Sequence, residues 1–525
     1  MMRTQLHHLL RDAADREGSA PALTFKDRTV SYAELWHDVV AFGGWLYELG
    51  LERGDRVGVY LEKRVETVVS LFGTSAAGGV FVPVNPLLRP RQVAHILNDC
   101  SVRVLITSGE RLDLLRDELE RCHALQCVVV LGSRPQAAHE RPYGLHGWED
   151  VVDADAYAPA DQGVIDIDVA AVLYTSGSTG KPKGVVLSHR NLVVGAGSVS
   201  QYLSNTDDDC ILAALPLSFD AGLSQLTTAF NVGAHVVLMN YLVPGDVVRL
   251  CAEHAVTGLT CVPPLWIQLA DQLWPAKARS SMRYFANTGG RMPKPTLEKL
   301  RSIFPNAAPY LMYGLTEAFR STYLDPAEVE RRPDSIGKAI PNTEILVVRE
   351  DGSACAAGEE GELVHRGALV ALGYWNDAAR TAERFRPAPG RNSAHSTPEI
   401  AVWSGDTVVR DEEGFLYFVR RKDEMIKTSG YRVSPTEIEE ITYGTGLVRD
   451  AVALGVDDAR LGQRIVLVVS PPDGEAVDPD ALLGALREQL PAYMVPKQIE
   501  VRAALPRSAN EKFDRNVLRQ ELMSA

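Results

Sequence analysis

The stretch YTSGSTGKPKG at 174–184 concentrates groups that bind phosphate. Thr175, Ser176, Ser178 and Thr179 bring hydroxyls, Gly177, Gly180 and Gly184 bring conformational freedom, and Lys181 and Lys183 bring positive charge. Glycine permits positive φ and close backbone approach, so successive N–H groups can form an anion-binding concavity. Hydroxyl donors and ammonium groups around such a concavity are what a polyphosphate requires. The spacing is not that of a Walker loop. That pattern needs Gly at 175 and a hydroxyl residue at 182, where this chain has Thr175 and Pro182. The alternative is a flexible Gly/Ser linker. The apolar run at 169–173 and VVLS at 185–188 argue against it, because both read as buried strands.

The elements that must hold this loop follow from the rest of the chain. Ser31 precedes a helical spacing at Leu35, Val39, Val40 and Trp45 and is the expected N-cap. RVGVYL at 56–61, VRVLITS at 102–108 and VVVLG at 128–132 read as buried strands. Strands alternating with helices predict an α/β fold with largely parallel sheets. No fixed-period repeat is present. RPAPGRNSAHSTP at 386–398 reads as a surface loop. VRRKDEMIKTSG at 419–430 is short, charged and ends in Gly, and a fresh helix–strand–strand–helix pattern follows it. A boundary near Arg420 is therefore expected, with a small α+β unit beyond.

Composition bounds the function. At roughly 150 residues per domain, 525 residues suggest two to four domains. Hydrophobic residues at 46% and charged residues at 23% exclude a disordered chain, a collagen and a coiled coil. Lys plus Arg is 54 against 68 for Asp plus Glu, a net charge of -14, which disfavours nucleic acid as a partner. The seven cysteines are odd in number, scattered and without Cys-x-x-Cys, so neither a disulfide framework nor a zinc ribbon is expected. The N-terminus MMRTQLHHLLRDAADREG is broken by charges, and no run approaches 18 apolar residues. The expectation is a soluble cytoplasmic protein with no membrane segment.

The loop closely resembles the phosphate-binding loop of the adenylate-forming superfamily, which contains acyl-CoA synthetases, luciferases and peptide-synthetase adenylation domains. Further motifs in the family's order extend the resemblance over nearly the whole chain: AAGGVFVPVNP at 76–86, LPLSFDAG at 215–222, YGLTE at 313–317, GELVHRG to LGYW at 361–375, SGD at 404–406, RRKDEMIKTSGYRV at 420–433 and LPRSANEKFDR at 505–515. The resemblance implies a large N-terminal adenylate-forming domain at 1–419, a hinge at 420–424 and a mobile C-terminal lid at 425–525. It also implies a reaction. A carboxylate attacks the α-phosphorus of ATP to give acyl-AMP and pyrophosphate, and a thiol then takes the acyl group.

By resemblance, Lys512 bridges carboxylate and phosphate in the first step, and Glu317 is the ligand of Mg2+, a hard oxygen donor suited to that ion. Tyr313 stacks on adenine, beside Gly314 and Thr316. Asp406 accepts the ribose hydroxyls, and Arg421 assists at ribose or phosphate. Asp423 is the hinge, about which Lys512 gives way to Lys427 and Gly430 for thiol transfer. Two positions depart from the family pattern: Arg420 and Glu511 stand where Gly is usual. Neither removes a reacting group. ATP and Mg2+ are the implied cofactors, with no prosthetic group.

The family's pocket positions fall on Phe219, Asp220, Ala221, Ser224, Cys261, Ala286, Thr288, Gly289, Met312, Arg320 and Ser321. In amino-acid-activating members the Asp of the Phe-Asp pair binds the substrate ammonium. Arg320 can grip a carboxylate through two parallel hydrogen bonds, so with Asp220 it suggests an acidic amino acid. The alternative is that Arg320 pairs with Asp220 or Glu317 and faces no ligand. The whole sequence also resembles AMP-forming ligases associated with bacterial exosortase clusters, which are similar to stand-alone amino-acid:carrier-protein ligases. The acceptor is then the phosphopantetheine of a separate acyl carrier protein, with coenzyme A as the alternative. Two other readings stand beside this one: an acyl-CoA synthetase for a fatty or short acid, and a nucleotide-binding scaffold that has lost catalysis.

Overall fold

The computed structural model describes residues 3–132, 142–152, 163–175, 182–390, 397–421, 425–472, 476–506 and 513–524. Two large sheets dominate. An eight-stranded sheet runs, in spatial order, Gly373–Tyr374, Lys183–Ser188, Val169–Thr175, Val80–Pro83, Arg56–Tyr60, Val104–Ser108, Cys127–Leu131 and Gly144–Gly147. It is parallel from Val169–Thr175 onward, and Lys183–Ser188 returns antiparallel against Val169–Thr175. A nine-stranded sheet has parallel Ala308–Tyr313, Tyr284–Asn287, Gly258–Cys261, Cys210–Ala213, His235–Leu238 and Pro21–Phe25 at its centre. The expected α/β class with largely parallel sheets is what forms.

Local chemistry accounts for the elements. Ser31 caps the helix Tyr32–Glu48, its hydroxyl accepting from Glu34 N while the Glu34 carboxylate accepts from Ser31 N. Leu35 and Val39 are fully buried on that helix, with Val40 and Trp45 half-buried beside them. The expected strands form at Arg56–Tyr60, Val104–Ser108 and Cys127–Leu131, buried because helices cover both sheet faces. The stretch read as a surface loop at 386–398 begins inside the short strand Phe385–Pro387, which pairs with Ile400–Arg410. All seven cysteines are buried free thiols.

A third sheet, spanning residues 343–421, follows the large ones in the chain, and a fourth is built wholly from residues beyond 425. The fourth has a core on each face, as period-two alternation requires. Ala451 and Ala453 join Ile426, Ile438, Leu482, Leu486 and Met494 on one side. Val452, Leu454 and Val456 join Val466, Leu505 and Leu518 on the other, with Phe513 packed against them. The chain is thus a large N-terminal and a small C-terminal domain. Among the described residues no helix is long and apolar enough to cross a membrane.

Candidate active site

A cavity of about 1130 Å³ opens where the parallel strands of both large sheets end. Its walls are the segments leaving those strands: Leu61 to Lys63, Val84 to Leu88, Ala214 to Asp220, Thr288 to Gly290 and Gly314 to Thr316. Crevices outside the carboxyl ends of parallel strands are where α/β folds bind ligands. The C-terminal domain closes the cavity with Lys427, Gly430, Tyr431 and Arg432.

Gly222 lets the 215–222 turn fold back on itself: a Cβ there would lie 1.8 Å from Pro216 O. The turn delivers Phe219 and Asp220 to the start of the helix Asp220–Val232. Lys63 holds the same turn from beneath. Its ammonium donates to the carbonyls of Ala213, Ala214 and Leu215 at 2.8, 2.8 and 3.1 Å. Burial pushes its pKa down to about 7.

Two buried charge clusters form on the 313–320 segment, one at Glu317 and one at Arg320. In the first, Lys183 Nζ lies 2.9 Å from Glu317 Oε1, and the Tyr374 hydroxyl donates to the same oxygen at 2.7 Å. Burial opposes ionisation of Glu317, but Lys183, Arg432 and the Tyr374 hydroxyl outweigh it and hold the carboxyl well below the usual range. Glu317 is therefore a carboxylate. Among the described residues its Oε2 accepts no hydrogen bond, and no cluster of three or more metal-ligating side chains stands near it. One ionised carboxylate with an unused oxygen fits Mg2+, which typically takes one or two carboxylates and completes its shell with phosphate and water.

The second cluster is Asp220 with Arg320. Arg320 Nη1 donates to Asp220 Oδ2 at 3.2 Å, and the Thr316 hydroxyl donates to Oδ1 at 3.3 Å. Burial raises the Asp220 pKa against the pull of Arg320. Arg320 is 3% exposed, and among the described residues its buried Nε has no partner. Phe319, just before it, adopts φ 55, a conformation that costs a non-glycine residue about 1–3 kcal/mol. Behind Arg320 lies a void of only about 20 Å³, lined by Ala221, Ser224 and Met312 among others.

The residues that the resemblance gives to the nucleoside also meet. The Tyr313 hydroxyl donates to Asp406 Oδ2 at 2.5 Å, and Asp406 pairs in the sheet with the backbone of Arg421. Gly430 has φ +82, and a Cβ there would meet Val262 Cγ2 at 2.8 Å, so only glycine lets this turn close over the cavity. Phe219 packs edge-on to Tyr431, with ring centroids 5.4 Å apart.

The structure thus brings together Thr175, Phe219, Asp220, Ala221, Thr288, Gly289, Met312, Tyr313, Gly314, Thr316, Arg320, Lys427 and Gly430 on one cavity. Ser224 reaches only the inner void. Cys261, Ala286 and Ser321 are fully buried and line neither space; Ser321 is bonded to His365 Nδ1 instead. Lys183 faces Glu317 rather than the open cavity. Ser176, Gly177, Ser178, Thr179, Gly180, Lys181, Asp423 and Lys512 lie outside the described residues. Sequence reading missed Lys63, Tyr374 and Arg432. Tyr374 and Arg432 sit inside quoted motifs, so their position was visible; their role depends on contacts across the fold.

Comparison with known proteins agrees with this geometry. A family model described as AMP-binding enzyme matches residues 10–375, and one described as AMP-binding enzyme C-terminal domain matches 437–512. A long-chain-fatty-acid–CoA ligase of Salmonella typhimurium is 30% identical over 545 residues, covering 98% of this chain and 94% of that one. The o-succinylbenzoate CoA synthetase MenE of Bacillus subtilis superposes with a TM-score of 0.79 at 26% identity, covering 98% of both chains. ATP-bound MatB of Rhodopseudomonas palustris gives 0.70 at 26%, covering 99% of both.

Proposed function

Because the chain belongs to the AMP-binding enzyme family and is an AMP-forming acid–thiol ligase, we propose that Asp220 and Arg320 select its acid, and that this acid is an amino acid with an acidic side chain. The observation that carries the reading is the state of Arg320. Its guanidinium is buried and Nη1 is taken by Asp220, yet among the described residues the buried Nε has no partner. Nε and Nη2 are the donors that grip a carboxylate side by side. The Asp220 carboxylate, which accepts from the Thr316 hydroxyl at 3.3 Å and from the Ala221 backbone, is the site for the substrate ammonium. The void beyond the pair, about 20 Å³, has room for about one water, so any larger acyl group must lie in the main cavity of about 1130 Å³.

The first half-reaction is attack of a substrate carboxylate oxygen on the α-phosphorus, with pyrophosphate leaving. The 176–181 loop binds the phosphates, Tyr313 and Gly314 the adenine, Asp406 and Arg421 the ribose, and Lys512 bridges the reacting groups. Glu317 would hold Mg2+, which when bound would supply charge neutralisation for the phosphates. In the second half-reaction the thiol sulfur bonds to the acyl carbon, AMP leaves and the thiol gives up its proton. Lys427 and Gly430 face the cavity for this step, and the C-terminal domain turns about Asp423 between the two. The thiol is the phosphopantetheine of a carrier protein, with coenzyme A as the other acceptor. The domain limits that go with this reading are 1–419, 420–424 and 425–525.

Acid-dependent ATP–pyrophosphate exchange tests the substrate. Glutamate and aspartate should give strong exchange, and neutral amino acids, β-amino acids, acetate, octanoate and benzoate little. Strong exchange with octanoate or benzoate would replace this reading with an acyl-CoA synthetase for apolar acids. Lys512→Ala should lower exchange by about 10²–10³-fold, the scale of losing one charge-stabilising group at a reacting centre. An unchanged rate would remove Lys512 from the first step.

A further inference from the structure

The segment from Asn85 to Gln92 touches the C-terminal domain at several points. Arg89 donates from Nη2 to Arg487 O at 2.6 Å and from Nε to Leu490 O at 3.2 Å. These carbonyls lie at the end of the helix Pro479–Gln489, where backbone acceptors have no helical partner and the helix dipole is negative. Gln92 donates from Nε2 to Glu437 Oε1 at 2.7 Å and accepts from Arg89 N through its own Oε1, so the two grips are joined. Glu437 is 8% exposed. All these acceptors belong to the face of the fourth sheet on which Ile426 and Met494 pack.

Phe513, the neighbour of Lys512 in sequence, packs on the opposite face of that sheet, with Val452, Leu454 and Leu518. One orientation of the domain therefore cannot serve both faces. The orientation seen here lines the cavity with Lys427, Gly430 and Tyr431. Bringing the 512 side inward must turn the domain, and Arg487, Leu490 and Glu437 then leave Arg89 and Gln92.

We propose that Arg89 and Gln92 are positioning residues for thiol transfer, a latch that fastens the C-terminal domain in the orientation for the second half-reaction and is released during the first. This rests on the two-step reading above. A charged donor on two helix-end carbonyls makes hydrogen bonds of the stronger kind; burial pushes the Glu437 pKa up to about 7, so the Gln92 bond to it is the weaker of the two grips. Arg89 is not part of the cavity lining, so its loss shifts the balance of orientations without touching ATP or acid, whereas Gln92 also lines the cavity.

The test separates the half-reactions in the full-length enzyme. Exchange is measured with the best acid of the panel, and transfer is measured as single-turnover discharge of preformed acyl-adenylate to pantetheine. Arg89→Ala should leave exchange within about twofold of wild type and slow transfer by about tenfold or more, the effect of losing one charge-assisted interaction. Arg89→Lys, which keeps a cationic donor, should recover part of the transfer rate. Gln92→Ala should act in the same direction as Arg89→Ala by a smaller factor. An equal fall in both half-reactions, or an unchanged transfer rate, overturns the latch and leaves the two-step reading standing. Full exchange by Lys512→Ala removes Lys512 from the first step and with it the need to turn the domain, which overturns the latch.

Discussion

Glu317→Gln should lower ATP–pyrophosphate exchange by about 10²–10³-fold and destabilise the fold by about 3–5 kcal/mol. The two losses have different origins. Glu317 is 5% exposed and shares Oε1 between Lys183 and Tyr374. Removing its charge leaves the Lys183 ammonium buried without a counter-ion, and breaking one side of a buried pair is costly. Lys183→Met combined with Glu317→Gln should recover most of the stability, read as the denaturant midpoint, because no lone charge remains. It should not recover exchange, because the carboxylate oxygen that suits Mg2+ is still missing. Recovery of exchange by the double variant would show that Glu317 acts only as the partner of Lys183. The pH dependence follows from the sign of the shift. The folded pKa is held below that of the unfolded chain, so the stabilisation is present above the ordinary carboxylate range and is lost as pH falls through the folded value. The destabilisation by Glu317→Gln should therefore be full at neutral pH and disappear in strong acid.

Removing both charges at the pocket floor should change which acid is activated. Asp220→Asn alone strands the Arg320 guanidinium and should cost about 3–5 kcal/mol of stability, with exchange lost for every amino acid. Asp220→Asn with Arg320→Met removes the pair and replaces a buried cation by a flexible apolar chain. Exchanging a buried ion pair for apolar groups is often neutral for stability, so this variant should regain most of the denaturant midpoint. Its acid preference should move from acidic amino acids to octanoate or benzoate. An unaltered preference would mean that the pair braces the turn at 215–222 and does not read the substrate.

The framework was legible because its signals are local. Ser31 and Glu34 sit three residues apart and cap one another, and the runs at 56–61 and 128–132 have the length and β-branching of buried strands. Within the site, sequence located the turns and left open what the side chains touch. Asp220 meets Arg320 across 100 residues, and Lys183 meets Glu317 across 134, so neither contact leaves a periodic trace. The sequence left open whether Arg320 grips a substrate carboxylate or pairs with Asp220 or Glu317, and only the fold shows the pairing with Asp220. The facing of Cys261 and Ala286 was hidden for another reason. Gly258–Cys261 and Tyr284–Asn287 are covered on both sides, so polar and apolar residues do not alternate to mark which side chains meet the cavity. Arg89 and Gln92 carried no signal at all, because their partners lie about 350–400 positions further along the chain.

The burial of all seven cysteines bears on how an acyl-adenylate is spent. Such a mixed anhydride acylates any thiolate it meets, and an exposed cysteine near the cavity would form a dead-end thioester on the enzyme. Burial pushes the thiols up, Cys122 to about 11 and Cys100 and Cys210 to about 12, so almost none is ionised at neutral pH. Cys261, on the strand that leads into the cavity wall, is fully buried and raised further still. The protein therefore offers its own intermediate no internal sulfur nucleophile. Chemoselectivity for the incoming thiol is enforced by keeping every competing one protonated and out of reach.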